Sequence, residues 1–277
     1  MTIFHLLPEW LDTATDVARK AAEVLKGFWG NLKDIREKDF PGNLVTEADR
    51  ESEKIIIKSL SGYFPTHQIL AEESGLFKKE SPFIWAVDPL DGTTNFAHHH
   101  PMAAVSIGLI HEDEAVLGVV YNPFTDELFR AFRGGGATLN GRPIAVSHTA
   151  DLAHSLLTTG FPYDRRENAD NNYAQFCRLT DLTQGVRRIG AASLDLSYVA
   201  CGRFDGYWER SIYPWDIVAG TVIVREAGGQ VSDYAGPLRW DTGRILATNG
   251  YLHAALSTIL AEYGLDKIKN QDGKKSS

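Results

Sequence analysis

Cysteine is scarce in this chain. Cys177 and Cys201 are the only two among 277 residues, and they form no C-x-x-C pair. That usage suits a reducing cytosol and leaves no disulfide framework. Long apolar runs are missing as well. The longest, residues 102–110, is far below the ~20 residues a membrane helix needs. The first eight residues have no basic n-region, and their apolar run is too short for a signal peptide. The expected setting is therefore cytoplasmic, with no membrane partner. Positive charge is in deficit too: 28 Lys and Arg stand against 36 Asp and Glu, a formal net charge of −8. Nucleic acid is disfavoured as a partner, because binding it needs clustered Lys and Arg. An anionic substrate stays open, since bound divalent cations would invert the local sign.

The composition is that of an ordinary globular chain, 43% hydrophobic and 23% charged, with material for a sizeable core. We read residues 1–266 as a single catalytic unit. Residues 1–150 form an α+β half, residues 151–266 an α/β half, and residues 267–277 a disordered tail rich in Lys, Asn, Asp, Gly and Ser. Leu11, Ala14, Val17, Ala18, Ala21, Val24, Leu25 and Phe28 recur at helical spacing, so an amphipathic helix opens the chain. A charged connector follows over 33–42, then a helix entered at Thr46. Strands are expected at 68–71, 83–87, 105–110, 115–121 and 127–131, with Asn140-Gly141 as a tight hairpin turn. Beyond them the rhythm alternates: strands at 155–159, 187–189, 206–209, 230–232 and 245–248, helices at 169–182, 194–200, 215–227 and 252–263.

Chemistry concentrates where apolar segments end in acids. The run 83–87 delivers Asp88, Asp91, Gly92, Thr93, Thr94 and Asn95; the strand before it ends in Glu72 and Glu73. Asp49 and Asp216 each open a helix. Singly, each acid reads as a helix cap or a solvated turn rather than as a ligand. As a set they are costly at sheet edges unless they converge on a cation. An all-oxygen set without Cys or an obvious His points to a hard ion such as Mg²⁺ or Mn²⁺. Gly92 allows close backbone approach, and the helix start after it favours an anion. His98, His99 and His100 point in different directions and are read as a surface or interface loop. The tryptophans are read as core, with Trp208, beside Glu209, the one able to touch a substrate. Arg187 and Arg188 suit an anion, an ion pair or a subunit contact.

Four boxes together resemble the inositol monophosphatase family, within the lithium-sensitive, metal-dependent sugar phosphatase superfamily. They are Leu44-Val-Thr-Glu-Ala-Asp49, Ile69-Leu-Ala-Glu-Glu-Ser-Gly75, Asp88-Pro-Leu-Asp-Gly-Thr-Thr-Asn-Phe96, and Tyr213-Pro-Trp-Asp-Ile-Val-Ala-Gly220 followed by Glu226-Ala-Gly-Gly229. The resemblance implies a layered α-β-α-β-α sandwich of the inositol monophosphatase and fructose-1,6-bisphosphatase type. It implies Mg²⁺, two or three ions per site with Mn²⁺ as a substitute, held by Glu72, Asp88, the Leu90 carbonyl, Asp91 and Asp216. Glu72, Thr93 and Asp49 would serve the attacking water, and Gly92 and Thr93 the phosphate. Gly190, Ala192 and Glu209 would meet the rest of the substrate. Glu73 fits a supporting place, and Lys38 is either a gate on a loop or a solvated lysine.

The expected activity is hydrolysis of inositol monophosphate by metal-activated water, with fructose-1,6-bisphosphate alone or in addition as the alternative. A regulatory binding protein retaining the fold is the rival from another class. The expected partners are a small phosphomonoester and a second copy of the chain.

Overall fold

A computed structural model describes residues 3–262. The tail expected at 267–277 lies outside the described residues. In chain order the first half contains α1 (Leu7–Phe28), β1 (Ile35–Glu37), β2 (Leu44–Thr46), α2 (Glu47–Tyr63), β3 (Gln68–Ala71), β4 (Gly75–Phe77), β5 (Phe83–Asp91) and α3 (Thr93–Ala97). Strands β6 (Ala104–His111), β7 (Glu114–Asn122), β8 (Glu127–Phe132), β9 (Ala137–Leu139) and β10 (Arg142–Pro143) follow. The second half contains β11 (Leu156–Thr159), α4 (Tyr173–Leu182), β12 (Gly185–Arg187), α5 (Ala192–Ala200), β13 (Gly206–Arg210), α6 (Pro214–Glu226), β14 (Gln230–Ser232), β15 (Arg244–Thr248) and α7 (His253–Glu262).

Five layers result. Helices α1 and α2 cover one face of an eight-stranded sheet, β10-β9-β8-β7-β6-β5-β3-β4. Helices α5 and α6 fill the space between its other face and a five-stranded sheet, β12-β11-β13-β15-β14, and α4 and α7 pack outside that. The expected α-β-α-β-α sandwich is the observed fold. The apolar residues of α1 face inward at the predicted spacing and are buried with Trp85, Val87 and Leu90 of β5.

Most expected elements are present, with informative departures. The connector at 33–42 contributes to a β1–β2 hairpin that sequence periodicity could not reveal, because all three β1 residues are exposed. The helix expected from 169 begins at Tyr173, since Asn172 takes a left-handed φ of 70° and is tied down by its own side chain. The strand expected at 187–189 is Gly185–Arg187. The second sheet is mixed, with β11 parallel to β12 and β13 but β15 antiparallel to β13 and β14. Asn140 and Gly141 both have positive φ, 50° and 76°, in the β9–β10 hairpin, as an Asn-Gly turn should.

One contact sets the height of α6. Gly108 of β6 pairs directly with Gly118 of β7, leaving a bare trough on the sheet. A Cβ at Gly108 would lie 2.7 Å from the Ala219 nitrogen, and one at Gly118 2.2 Å from the Ala219 oxygen. The backbone of α6 therefore rests on sheet backbone, which seats its first turn, and Asp216 with it, at the edge of the sheet.

His67 is a core histidine packed between aromatic rings and 6% exposed. The Trp85 indole N–H donates to its Nδ1 at 3.1 Å, so that nitrogen must keep its lone pair. Burial, with help from Lys79, lowers its pKa to about 4. The unfolded chain binds this proton near pH 6.5 and the folded chain only near 4, so stability falls as pH drops through that window. The His67 share is about 3 kcal/mol at pH 4. The raised carboxylates of the cleft oppose it, because they take up protons more readily folded than unfolded. His67→Gln keeps an acceptor for Trp85 and removes the titration. Urea melts at pH 7 and pH 4 should show the variant losing about 3 kcal/mol less than the parent on acidification; equal losses would refute this assignment.

Candidate active site

The site begins with a defect in β5. Asp88 pairs with Ser106 and Asp91 with Ala104, so three steps on β5 oppose two on β6. Side chains three apart on a regular strand face opposite sides. The extra residue returns Asp91 to the side of Asp88, and Pro89, with no N–H to offer the ladder, sits inside the bulge. The turn is locked by the Leu90 N–H, which donates to Asp88 Oδ1 at 2.9 Å, and by Ser52 Oγ, which donates to the Pro89 carbonyl at 3.0 Å. Strand β3 runs parallel to β5, with Ala71 beside Val87, so Glu72 emerges next to Asp88.

Gly92 then turns the chain at φ 89° into α3. A Cβ there would sit 2.7 Å from the Met102 carbonyl, so only glycine fits. Thr93 Oγ1 is 2.9 Å from Asp49 Oδ1 and 3.1 Å from the Leu90 oxygen. Asp49 Oδ2 accepts from the Thr46 N–H at 2.8 Å and hydroxyl at 2.6 Å, completing a capping box on α2. From the second half, the N–H groups of Ala192 and Ser193 donate to Asp91 at 3.2 and 2.7 Å. Asp216 accepts from the Tyr213 N–H at 2.8 Å at the start of α6.

Glu72, Asp88, Leu90, Asp91, Gly92, Thr93, Ala192 and Asp216 line one cleft of about 430 Å³ together with Lys38, Gly160, Tyr163, Arg188, Gly190 and Glu209. Asp49 lies behind Thr93 and is not part of the lining. Lys38 Nζ bridges Glu72 and Glu73 at 2.8 and 2.5 Å. Burial works against its charge, yet the two glutamates hold its pKa above the usual lysine value. Burial and then Glu72 push Asp88 and Asp216 well above the usual carboxylate range. Asp91 is raised to about 6, chiefly by burial, although Ser193 counters this. Asp49 is likewise raised to about 6 by burial. Among the described residues no three His, Cys, Asp or Glu side chains form a ready-made metal cage. The expected ligands share a cleft while Lys38 holds Glu72 beside Glu73.

Glu209, on β13, has its carboxyl raised to about 7 by burial, while Tyr207, donating at 2.6 Å, and Arg188 pull it down. Gly160 makes room for that carboxyl, since a Cβ there would lie 2.1 Å from it. Sequence reasoning overlooked residues 160–164, which form a wall of the cleft; they follow β11 directly, so the strand-end logic that found Asp88 would have found them. Their path is held by Asn172, whose Nδ2 donates to the Gly160 carbonyl at 2.6 Å, and by Arg210, which grips Asp164 at 3.0 Å through both terminal nitrogens. Trp208 is a correction. It is fully buried, donating to Asn172 at 2.6 Å, and Trp215 lines the cleft instead. His98, His99 and His100 are all exposed and outside the cleft, as expected. Among the described residues no helix is long and apolar enough to cross a membrane.

Similarity to known proteins places this layered sandwich, with its cleft of buried acids beside a glycine-started helix, among the phosphoric monoester hydrolases. The model of the Inositol monophosphatase family matches residues 6–265. An inositol-1-monophosphatase of Synechocystis sp. is 59% identical over 257 residues, covering 92% of this chain and 90% of that protein. A Nus factor SuhB of Pseudomonas aeruginosa is 42% identical over 258 residues, covering 90% and 95%. The solved inositol monophosphatase of Anabaena (Nostoc) sp. PCC 7120 superposes with a TM-score of 0.85 at 53% identity, covering 92% of this chain and 96% of that one. The chain belongs to the inositol monophosphatase family.

Proposed function

We propose that this protein is a Mg²⁺-dependent phosphomonoesterase acting on inositol monophosphate. The observation that carries the reading is the cleft's charge. Glu72, Asp88, Asp91 and Asp216, brought from three separate parts of the chain, face one another with Lys38 and Arg188 as the lining cations. Their mutual repulsion calls for positive charge, and with the Leu90 carbonyl they make an all-oxygen donor set suited to two or three Mg²⁺ ions, or Mn²⁺ in their place. Bound there, magnesium would lower the pKa of water and neutralise charge on the phosphate and the leaving alkoxide.

The chain's own residues supply the rest. The Thr93 hydroxyl donates a hydrogen bond to Asp49, which leaves its oxygen lone pairs to accept from the attacking water. Glu72 is the second acceptor for that water's protons. Gly92 and Thr93 present backbone to the phosphate. Glu209 accepts from substrate hydroxyls, with Gly190 and Ala192 forming the adjoining wall. Phosphate monoesters hydrolyse so slowly in water that this positioning and charge neutralisation must provide the rate.

A phosphate-release panel with Mg²⁺ tests the reading, comparing inositol-1-phosphate, fructose-1,6-bisphosphate, glycerol-2-phosphate and adenosine 3′,5′-bisphosphate, each with and without Li⁺. We expect the highest kcat/KM on inositol-1-phosphate; a higher value on fructose-1,6-bisphosphate would transfer the assignment to the bisphosphate. The relatives named Nus factor SuhB support a second reading, a regulatory binding role, and negligible release from every substrate would favour it. A homodimer is the proposed acting form, checked by light scattering.

Glu209 also predicts a pH effect. Below about pH 7 its carboxyl takes up a proton and loses acceptor capacity. In that range kcat/KM for inositol-1-phosphate should decline more steeply than for glycerol-2-phosphate. Glu209→Gln should abolish that difference and raise KM for inositol-1-phosphate about tenfold to a hundredfold, the worth of a charge-assisted hydrogen bond. Parallel profiles for the two substrates would remove Glu209 from substrate contact.

A further inference from the structure

Beneath the cleft lies an acid that the proposed reaction does not use. Asp195 is one turn into α5 beyond the N–H groups that hold Asp91, and it is 1% exposed. Its Oδ1 lies 2.5 Å from Thr158 Oγ1, whereas its buried Oδ2 has no hydrogen-bond partner among the described residues. Thr158, on β11 and fully buried, is also 3.3 Å from the carbonyl of Arg187 at the end of β12.

Three proton arrangements can be weighed. An ionised Asp195 would leave half of a buried charge unpaired, which costs several kcal/mol. A proton on Oδ2 would create a buried O–H with nothing to donate to. A proton on Oδ1 lets Asp195 donate to Thr158, and Thr158 then donates to the Arg187 carbonyl. Only this last arrangement satisfies every donor and leaves the unpartnered oxygen as a neutral acceptor. The surroundings agree. Burial foremost, then Glu209 on β13 and Asp91 on β5, disfavour the charge, while Thr158 and Arg188 act the other way; the balance stands well above the usual carboxylate range.

We propose that Asp195 is a positioning residue held as a neutral acid, which through Thr158 fixes the Arg187 carbonyl and thereby the wall carrying Arg188 and Gly190 into the cleft. The far end of that wall is held from the opposite side, where Asn95 Nδ2 donates to the carbonyls of Ile189 at 2.9 Å and Gly190 at 3.4 Å. Remaining neutral, Asp195 adds no further negative charge beside Glu72, Asp88, Asp91 and Asp216. The substrate consequence rests on the phosphatase reading above; the protonation and the tether do not.

Three measurements on the full chain test it. The infrared difference spectrum of parent minus Asp195→Asn at pH 7 should contain the carbonyl band of a protonated carboxyl. A carboxylate signature in its place would overturn the proposal. Thr158→Val keeps the shape and breaks the tether, so amide hydrogen exchange at residues 188–190 should accelerate about tenfold, as losing one net hydrogen bond implies. Unchanged exchange in a variant that still melts cooperatively would likewise overturn it. Thr158→Val should also raise KM for inositol-1-phosphate about tenfold with kcat within about twofold, and Asp195→Asn, whose amide can donate to Thr158, should stay within about threefold of the parent. A folded Asp195→Asn variant losing more than about a hundredfold would mean that the charge itself is needed. If the parent hydrolyses nothing, the phosphatase reading fails, while the infrared and exchange results still decide the tether.

Discussion

Asp216→Asn is expected to hydrolyse inositol-1-phosphate about 10³-fold more slowly than the parent while remaining fully folded, since several kcal/mol of charge stabilisation is withdrawn. The substitution is clean for a structural reason. Among the described residues the Asp216 carboxylate accepts one hydrogen bond, from the Tyr213 N–H at 2.8 Å, and an Asn carbonyl oxygen can accept it equally well. Burial, Glu72 and Asp91 all oppose the Asp216 charge, so without metal the variant should melt no lower than the parent, and higher at neutral pH. The gain in Tm that Mg²⁺ confers on the parent should shrink in the variant, because ligand-linked stabilisation follows affinity. Activity within about tenfold of the parent at saturating Mg²⁺ would exclude Asp216 from metal binding.

The largest effect on stability is expected at Gly118, far from any substrate. The added methyl in Gly118→Ala would meet the Ala219 carbonyl at 2.2 Å, and backbone cannot swing aside as a side chain can. Helix α6 must lift from the sheet, at a cost of about 3 kcal/mol, which for a chain of this size lowers Tm by roughly 10 °C. The same displacement carries Asp216 away from Asp88, and misplacement of this kind costs up to about 10²-fold in rate. Loss of kcat/KM at temperatures where the variant is still folded would separate the two consequences. Gly27→Ala is the control: it lies within α1, and apart from the helix's own neighbouring backbone no atom of the described residues comes within 4 Å of the new methyl, so it should be neutral or stabilising by up to about 1 kcal/mol. A Gly118→Ala protein as stable as Gly27→Ala would refute the backbone contact between α6 and the sheet.

Much of this molecule was legible from the chain because the relevant forces are local. Helix α1 declares itself through an apolar stripe that any core would bury. Thr46 with Asp49, and Tyr213 with Asp216, are capping arrangements between residues three apart. The segments ending in Glu72, Asp88 and Asp91 are recognisable because an apolar run stops abruptly at acids. Local rules failed where a neighbour in space decides. Strand β1 has no buried face and exists through pairing with β2. Asn172 delays the start of α4 because Thr159, Gly160 and Trp208 converge on its side chain. Trp208, next to a cleft glutamate in sequence, points into the core because adjacent residues on a strand face opposite ways.

What the sequence by itself determined is the inventory: the capped acids, the all-oxygen chemistry, the glycine beside two hydroxyls, and the order of strands and helices. Only the tertiary structure decided which of these meet. The bulge that brings Asp88 and Asp91 to one side exists only in register with β6. Asp216 joins them because a glycine pair on β6 and β7 lets α6 lie against the sheet. The wall at 160–164, the Lys38 bridge and the tether from Asp195 through Thr158 also join residues far apart in the chain. Spacing along a chain reports forces within a turn or a strand, whereas convergence depends on how whole layers stack.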